Sequence, residues 1–157
     1  MTTLIRPSQP SDAAAAQAVL HDTFESTWGP QITPEAMAAY RADDRPKAYW
    51  DERGAHFWLA ETGGEVAGLV DWKGDFVNAL HVRASHARAG IGSMLMNHAE
   101  AAIAADGFGA VRLETDTFNT RSQAFYAGRG FVEVDRYPDL EWNSGLTTLL
   151  LSKSLNR

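Results

Sequence analysis

The sequence contains no cysteine, and this absence narrows the chemistry open to the protein. It excludes a disulfide framework, a thiolate metal site and a cysteine nucleophile, so any reaction must use oxygen and nitrogen groups. The five histidines show no spacing typical of zinc ligands, and we predict no metal. A chain without cysteine fits the cytoplasm without requiring it.

Long apolar runs and an excess of positive charge are also missing. No stretch approaches the ~20 apolar residues of a membrane span, and the start of the chain lacks the pattern of a secretory signal. The formal net charge of -6 disfavours nucleic acid as a partner and fits a cationic or neutral substrate better. We therefore predict a cytoplasmic protein with no membrane or nucleic-acid partner, and the sequence leaves a homodimer open.

The chain is long enough for one ordinary domain. Its 157 residues, 45% hydrophobic and 22% charged, have the balance of a globular protein that folds on its own. No internal repeat, low-complexity segment or linker interrupts it. We predict a single domain over residues 1–157.

Hydrophobic periodicity and turn residues predict alternating strands and helices. Strands are expected at 2–5, 55–61, 65–72, 76–82, 110–115, 131–134 and 147–151. Helices are expected at 13–20, from 33 to about 40, at 91–105 and at 119–126, with a loop through Asp43, Asp44 and Pro46. This order predicts an α/β (α+β) protein with a mixed sheet covered by helices.

A glycine-bearing loop, residues 88–93 (RAGIGS), lies between a predicted strand and a predicted helix. Such a junction presents unpaired backbone N–H groups and the positive end of a helix dipole, which suits a pyrophosphate. A purely structural turn explains the glycines equally well. The loop lacks the Gly-Lys-Ser/Thr ending of a P-loop and the third glycine of a dinucleotide fingerprint, so an acyl-coenzyme A is the better candidate.

Together with the strand before it, this loop resembles the acetyl-coenzyme A motif of the GCN5-related N-acetyltransferase (GNAT) family. Two positions depart from the family pattern: Ala84 replaces a frequent proline, and Ala87 replaces a Gln or Arg that contacts the pyrophosphate. The resemblance implies cofactor-binding residues in both segments. They are Leu80, His81, Val82, Arg88, Ala89, Gly90, Ile91, Gly92 and Ser93.

A second segment resembles the later motif of the same family. It comprises Leu113, Glu114, Asn119, Ala124, Phe125, Tyr126, Gly130 and Phe131. The resemblance adds Asn119 and Phe125 to the cofactor-binding residues, although Asn119 is also a plain helix cap. It makes Tyr126 the general acid for the leaving thiolate, a proton transfer uphill by only about 2 kcal/mol between model groups.

The resemblance also gives Glu114 a role, because its spacing to Tyr126 is that of the Glu and Tyr pair of N-terminal acetyltransferases. Glu114 is then a base acting through a water, since freeing an amine of pKa about 10.4 at pH 7 costs about 4.6 kcal/mol. An ion-paired strand carboxylate is the plainer interpretation. Asp71, Asp75 and His81 are rival bases.

Two sets of side chains remain candidates for acceptor binding, with core packing or plain solvation as the alternative. The aromatic set, in or near predicted loops, is Trp28, Tyr40, Trp50, Tyr137 and Trp142. The acidic set is Asp43, Asp44, Glu52, Asp71 and Asp75.

The resemblance implies a sheet of about seven strands, about four helices, and a splayed parallel pair that holds acetyl-CoA. A backbone N–H near Leu80 to Val82 is then expected to stabilise the oxyanion. The implied activity is transfer of the acetyl group of acetyl-CoA to a primary amine of a small molecule or peptide, by direct attack in a ternary complex. A non-catalytic acyl-CoA-binding or sensing domain, or a structural domain whose loop binds nothing, are the alternatives.

Overall fold

The computed structural model describes residues 2–87, 89–139 and 146–155. Seven strands form one sheet in the order β1-β2-β3-β4-β5-β7-β6. They are β1 Thr3–Pro7, β2 Trp58–Thr62, β3 Glu65–Lys73, β4 Phe76–Val82, β5 Ala110–Asp116, β6 Val132–Pro138 and β7 Thr147–Ser154. Neighbouring strands are antiparallel except β4 and β5, which are parallel. The mixed sheet with one parallel pair confirms the predicted fold class.

Five α-helices accompany the sheet within the described residues. They are α1 Ala13–Thr23, α2 Pro34–Asp43, α3 Arg45–Arg53, α4 Ile91–Ala105 and α5 Thr120–Gly128. One turn of π-helix, Phe24–Trp28, continues α1. Within the same residues, no helix is both long and apolar enough to cross a membrane.

Each face of the sheet is covered by different helices. On one face, α4 and α5 bury a cluster that includes Leu95, Ile103, Val111 and Leu113. On the other, α1 and α3 pack against a second cluster around Leu69. Strand β5 shows the alternation that such a two-faced sheet requires, because Val111 and Leu113 are buried while the residues between and after them, Arg112 and Glu114, are exposed.

The predicted loop after residue 40 is wrong, because most of it is helical. Helix α2 runs on to Asp43, and Asp44 turns the chain with a left-handed φ of 44°. Pro46 then lies in the first turn of α3, where a missing N–H costs nothing. Proline and two aspartates suggested a loop, yet they mark the joint between two helices.

Candidate active site

The parallel strands β4 and β5 touch only at one end. Phe76 pairs with Arg112 and Val77 pairs with Leu113, and the pairing stops there. Directly afterwards β4 carries a β-bulge: Val77 faces Trp72 on β3 and Ala79 faces Asp71, which leaves Asn78 as the extra residue. A bulge bends its strand and increases the twist, so the two strands separate from this point on.

A buried carboxylate holds the bulge in place. Asp71 is 0% exposed and accepts hydrogen bonds from Tyr49 (2.6 Å), from Asn78 (3.2 Å) and from two nitrogens of Arg53 (3.1 and 2.8 Å). These donors and the Arg53 charge engage both carboxylate oxygens. Asp71 therefore serves to hold the structure next to the opening. It is poorly placed to serve as the rival base suggested by the sequence.

Beyond the bulge, the backbone of β4 presents donors to the gap left by β5. Arg83 N–H donates to Ala67 O on β3 at 2.8 Å, and successive N–H groups of a strand point to opposite edges. His81 N–H therefore points toward β3, whereas the N–H groups of Leu80 and Val82 point into the gap. Of the three residues expected to supply an oxyanion donor, the geometry favours these two.

The amino end of α4 opens at the same place. Gly90 is its N-cap, with a left-handed φ of 79° that favours glycine, and the space where a Cβ would point is empty. The first helical hydrogen bond reaches from Met94 N to Gly90 O, so the preceding amides carry no intrahelical bond. A Cβ on Gly92 would lie 3.5 Å from Phe125 and 3.9 Å from Val82. Here α4, α5 and the end of β4 converge.

Most predicted cofactor-binding residues are thus brought to one opening. Leu80, Val82 and Phe125 are partly buried and pack against the same core cluster, and Ile91 is 1% exposed within it. Ala89 and Gly90 are exposed, and Ser93 lies in the first turn of α4. Arg88 lies outside the described residues.

Two further residues of that set have structural partners. His81 binds Thr23 through Nδ1 at 2.8 Å, which ties the end of α1 to β4, and burial lowers its pKa to about 4. It is therefore neutral at physiological pH and a weak base. Asn119 caps α5, because its side-chain oxygen accepts the Ser122 N–H at 3.1 Å. The capping prediction is confirmed, and its contact with a cofactor stays a prediction.

Tyr126 is 7% exposed on α5 and lies among aromatic neighbours. Its ring stands edge-on to Phe125 and Phe131, with centroids 5.1 and 5.5 Å away. Burial raises the pKa of the Tyr126 phenol well above its usual value, and the charge of Arg129 opposes that shift only in part. The phenol is protonated at neutral pH, as an ordinary tyrosine is and as a proton donor must be, and the raised pKa makes its proton harder to transfer.

Glu114 lies on the opposite face of β5 from Tyr126. Thr115, the next residue, bonds Ser122 of α5 at 2.9 Å, so the strand alternation directs Glu114 away from that helix. The exposed Glu114 carboxylate accepts a short hydrogen bond from the Tyr137 hydroxyl. Glu114 and Tyr126 can therefore act on one molecule only if that molecule passes through the gap between β4 and β5.

The remaining rival base, Asp75, lies at the closed end of the strand pair. Its carboxylate accepts two hydrogen bonds from Arg112, at 2.9 and 3.0 Å. Hydrogen bonding to this guanidinium holds the pKa of Asp75 below its usual range. Asp75 is therefore a poor base, and it lies away from the opening.

The aromatic candidates are dispersed, and the four described members all lie in helices or strands, not in loops. Tyr40 of α2 stacks on Phe24 of the π-helical turn, and Trp50 of α3 packs edge-on against Phe57. Trp28 ends the π-helical turn. Tyr137 of β6 bonds the predicted catalytic residue Glu114, and Trp142 lies outside the described residues.

The acidic candidates do not form one surface either. Asp43 and Asp44 lie where α2 meets α3, and Glu52 is exposed on α3. In the described part of the chain, no three His, Asp or Glu side chains are grouped as metal ligands.

Three residues near the opening were missed by the sequence analysis: Thr23, Asn78 and Asp116. Nothing local distinguishes the first two, because their importance comes from partners far along the chain. Asp116 did carry a signal. It follows Glu114 at the two-residue spacing that places both carboxylates on one face of a strand.

The opening thus combines α4 amides suited to a phosphate group with β4 amides suited to the carbonyls of an extended chain. Comparison with known proteins agrees with this geometry. The model of the acetyltransferase (GNAT) family matches residues 19–131. Blasticidin-S acetyltransferase of Streptomyces morookaense is 34% identical over 95 residues, which are 60% of this chain and 68% of that protein.

Solved structures share the fold over nearly the whole chain. A GCN5-related N-acetyltransferase from Rhodopseudomonas palustris superposes with a TM-score of 0.83 at 25% identity, covering 99% of this chain and 97% of that one. The PaiA N-acetyltransferase of Thermoplasma acidophilum, solved with coenzyme A, gives a TM-score of 0.78 at 16% identity, covering 98% and 99%. The splayed strands, the glycine-capped helix and the family match together show that this chain belongs to the GNAT family of acetyltransferases.

Proposed function

We propose that the protein transfers the acetyl group of acetyl-CoA to a primary amine of a small molecule or peptide, by direct attack in a ternary complex. The observation that carries the proposal is the separation of β4 from β5 directly after Val77, beside the amino end of α4. This opening connects the two faces of the sheet, so a thioester on one side can meet an amine from the other.

The backbone supplies the binding groups for acetyl-CoA. The α4 amides from Gly90 to Ser93 receive the pyrophosphate, helped by the positive end of the helix dipole. The outward N–H groups of Leu80 and Val82 then serve the pantetheine amides and the thioester carbonyl. A fixed donor at that carbonyl stabilises the negative charge that develops when the amine attacks.

Tyr126 donates the proton that the departing thiolate needs. It lies on the face that carries α4, and its phenol is protonated at neutral pH, as an ordinary tyrosine also is. Glu114 lies on the other face, where the amine must approach. Since its carboxylate already accepts a hydrogen bond from Tyr137, Glu114 can reach an amine proton only through a water, and its negative charge favours an ammonium group on this face.

Release of free thiol from acetyl-CoA tests the proposal directly. The acceptor panel contains blasticidin S, an aminoglycoside, amino acids, a peptide with a free amino terminus and 2-phenylethylamine. We expect turnover with at least one of them, and Tyr126→Phe is expected to lower kcat by about 10²-fold or more while retaining CoA binding. Phe118→Leu is a matched control in a partly buried ring outside the proposed machinery.

Thermal stabilisation by coenzyme A separates the remaining outcomes. Stabilisation without thiol release from any amine would favour a non-catalytic acyl-CoA-binding or sensing domain. No stabilisation at all would mean that the opening does not bind coenzyme A, and the proposal would then be wrong.

A further inference from the structure

Asp116, the last residue of β5, has a buried carboxyl group that the proposed reaction has not yet used. The residue is only 5% exposed. Its backbone carbonyl accepts hydrogen bonds from Asn119 N (3.1 Å) and Gln123 Nε2 (2.9 Å). In contrast, no hydrogen bond or ion pair of its side chain is found within the described residues, and the charges that act on it most are the negative ones of Asp139 and Glu114. Within the described residues no fully buried side-chain oxygen lacks a hydrogen-bond partner, so the unpartnered carboxylate oxygens of Asp116 reach solvent. A carboxylate in such a largely buried place favours a donor or a cation from outside.

The strand pattern places this carboxyl group on the acceptor side of the sheet. Asp116 is two residues after Glu114 and therefore shares its face, opposite the face covered by α5. Both residues lie beyond Leu113, the last residue of β5 that pairs with β4. On the other side of β5, Asp116 faces Thr148 of β7, and Thr148 faces Tyr137 of β6. Asp116 is thus positioned at the gap, on the face opposite Tyr126.

The described groups around this carboxyl supply negative charge and no compensating cation. Glu114 comes from the same strand, Asp139 from the segment after β6, and β6 also contributes the hydroxyl of Tyr137, which is directed to Glu114. Arg112 shares the face but is held by Asp75 at the closed end. Burial first, and these two carboxylates second, raise the pKa of Asp116 to about 6. Among the described residues no cation lies beside the Asp116 carboxyl group, and an ammonium group would provide one.

We propose that Asp116 binds the acceptor as an ammonium ion and removes its proton, so the preferred substrates are aliphatic primary amines that are protonated at neutral pH. This inference rests on the proposed acetyl transfer and names the acceptor class and the base. Glu114 assists through its negative charge and does not take the proton itself. Asp116 therefore acts directly on the amine, where Glu114 would need a water.

The step balances in protons and electrons. One ammonium N–H bond breaks, its electron pair stays on nitrogen, and the proton forms an O–H bond with Asp116. The amine nitrogen attacks the thioester carbonyl carbon, the C–S bond breaks with its electron pair on sulfur, and sulfur takes the Tyr126 proton. A second nitrogen proton restores Tyr126 through water, and Asp116 releases its proton to solvent. The products are the amide, the free thiol and one proton.

A matched pair of acceptors tests the base. The wild type, Asp116→Asn and Glu114→Gln are assayed for thiol release with 2-phenylethylamine, protonated at pH 7, and O-benzylhydroxylamine, which has a similar shape but is neutral. Asp116→Asn is expected to lower kcat/KM for 2-phenylethylamine by about 10²-fold and for O-benzylhydroxylamine by less than about tenfold. The acid limb of the wild-type pH profile, near pH 6, is expected to disappear only in Asp116→Asn. Glu114→Gln is expected to keep that limb, shifted to lower pH.

Controls separate this inference from the proposed function. Asp106→Asn removes an exposed carboxylate at the far end of α4 and is expected to behave as wild type. Unchanged thermal stabilisation by coenzyme A shows that Asp116→Asn is folded and binds the cosubstrate. If the wild type releases thiol and Asp116→Asn keeps its activity, or loses it equally with both amines, the inference is wrong and acetyl transfer stands. If the wild type releases no thiol with either amine or with the wider panel, both are wrong.

Discussion

The two ends of the β4–β5 strand pair differ in whether their polar groups find hydrogen-bond partners within the protein. At the closed end, Arg112 N–H donates to Asp75 O at 2.9 Å, and the side chains of the same residues form a two-pronged ion pair. At the open end, the N–H groups of Leu80 and Val82 point into the gap, and Asp116 is buried without a described donor. At the closed end, the polar groups of Asp75 and Arg112 bond each other, whereas at the open end the polar groups can bond a ligand. We infer that the site is built where the sheet leaves its own hydrogen bonding incomplete.

The largest loss of stability is expected when the Asp71 carboxylate, which holds the β4 bulge at the start of the open end, is removed. Asp71→Ala leaves the Arg53 guanidinium, whose side chain is 17% exposed, without its anion. Breaking a buried ion pair on one side costs about 3–5 kcal/mol, because the remaining charge stays buried. Urea denaturation measures the loss, and Asp51→Ala, at an exposed pair with Lys47, is the control. A loss below about 1 kcal/mol would show that the bulge does not depend on this cluster.

A smaller loss of stability is expected when the distance between β3 and the open end of β4 is increased. Gly68 faces Val82, and a Cβ there would lie 2.7 Å from the His81 carbonyl oxygen. Gly68→Ala must push the strands apart, and such overpacking costs about 1–3 kcal/mol. Coenzyme A binding should weaken with it, as measured by calorimetry.

Gly128 provides the matched control for that substitution. It lies at the end of α5, and no atom comes within 4 Å of the position that a Cβ would take, so alanine adds no contact there. Gly128→Ala is expected to be neutral or to stabilise the protein by up to about 1 kcal/mol. Equal destabilisation by both substitutions would mean that close strand approach is not the cause.

At Asp116 we expect a smaller, pH-dependent change in which the substitution stabilises the protein. Because its folded pKa, about 6, lies above its unfolded value, the native state binds the extra proton and stability falls as pH rises from about 4 to 6. The penalty is complete above pH 6, so Asp116→Asn should raise Tm at pH 8, by roughly 2–4 °C per kcal/mol. The gain should vanish below about pH 4. A lower Tm at pH 8 would indicate that the carboxylate has a stabilising partner.

The smallest effect is expected at the closed end. Asp75 and Arg112 form a pair whose side chains are 30% and 45% exposed, and such pairs contribute about 0–1 kcal/mol. Asp75→Asn should therefore change stability slightly at pH 7, less still in high salt. Since the pKa of Asp75 is lowered in the folded state, the difference should disappear as pH falls below the folded value. A loss above about 2 kcal/mol would show that this pair is more than a surface contact.

Much of the fold was accessible from the sequence because its signals are local. The predicted bounds of β4 and α4 match the structure, and the glycines between β2 and β3 have the positive φ that their turn requires. The cap at Asn119 was also predicted from one residue type at one position. Helix α3 was missed because Asp44 and Pro46 carry the same signal in a loop as at a junction of two helices.

The sequence alone determined the order of the seven strands and of four of the five helices, together with the glycine-capped entrance of α4. Periodicity, capping and backbone freedom act over a few residues, so they can be found without coordinates. The tertiary structure decided that β4 and β5 part after Val77, that Leu80 and Val82 face the gap, and that Asp116 is buried beside two like charges. Register, bulge position and burial are set by residues distant in the chain, and a linear pattern does not contain them.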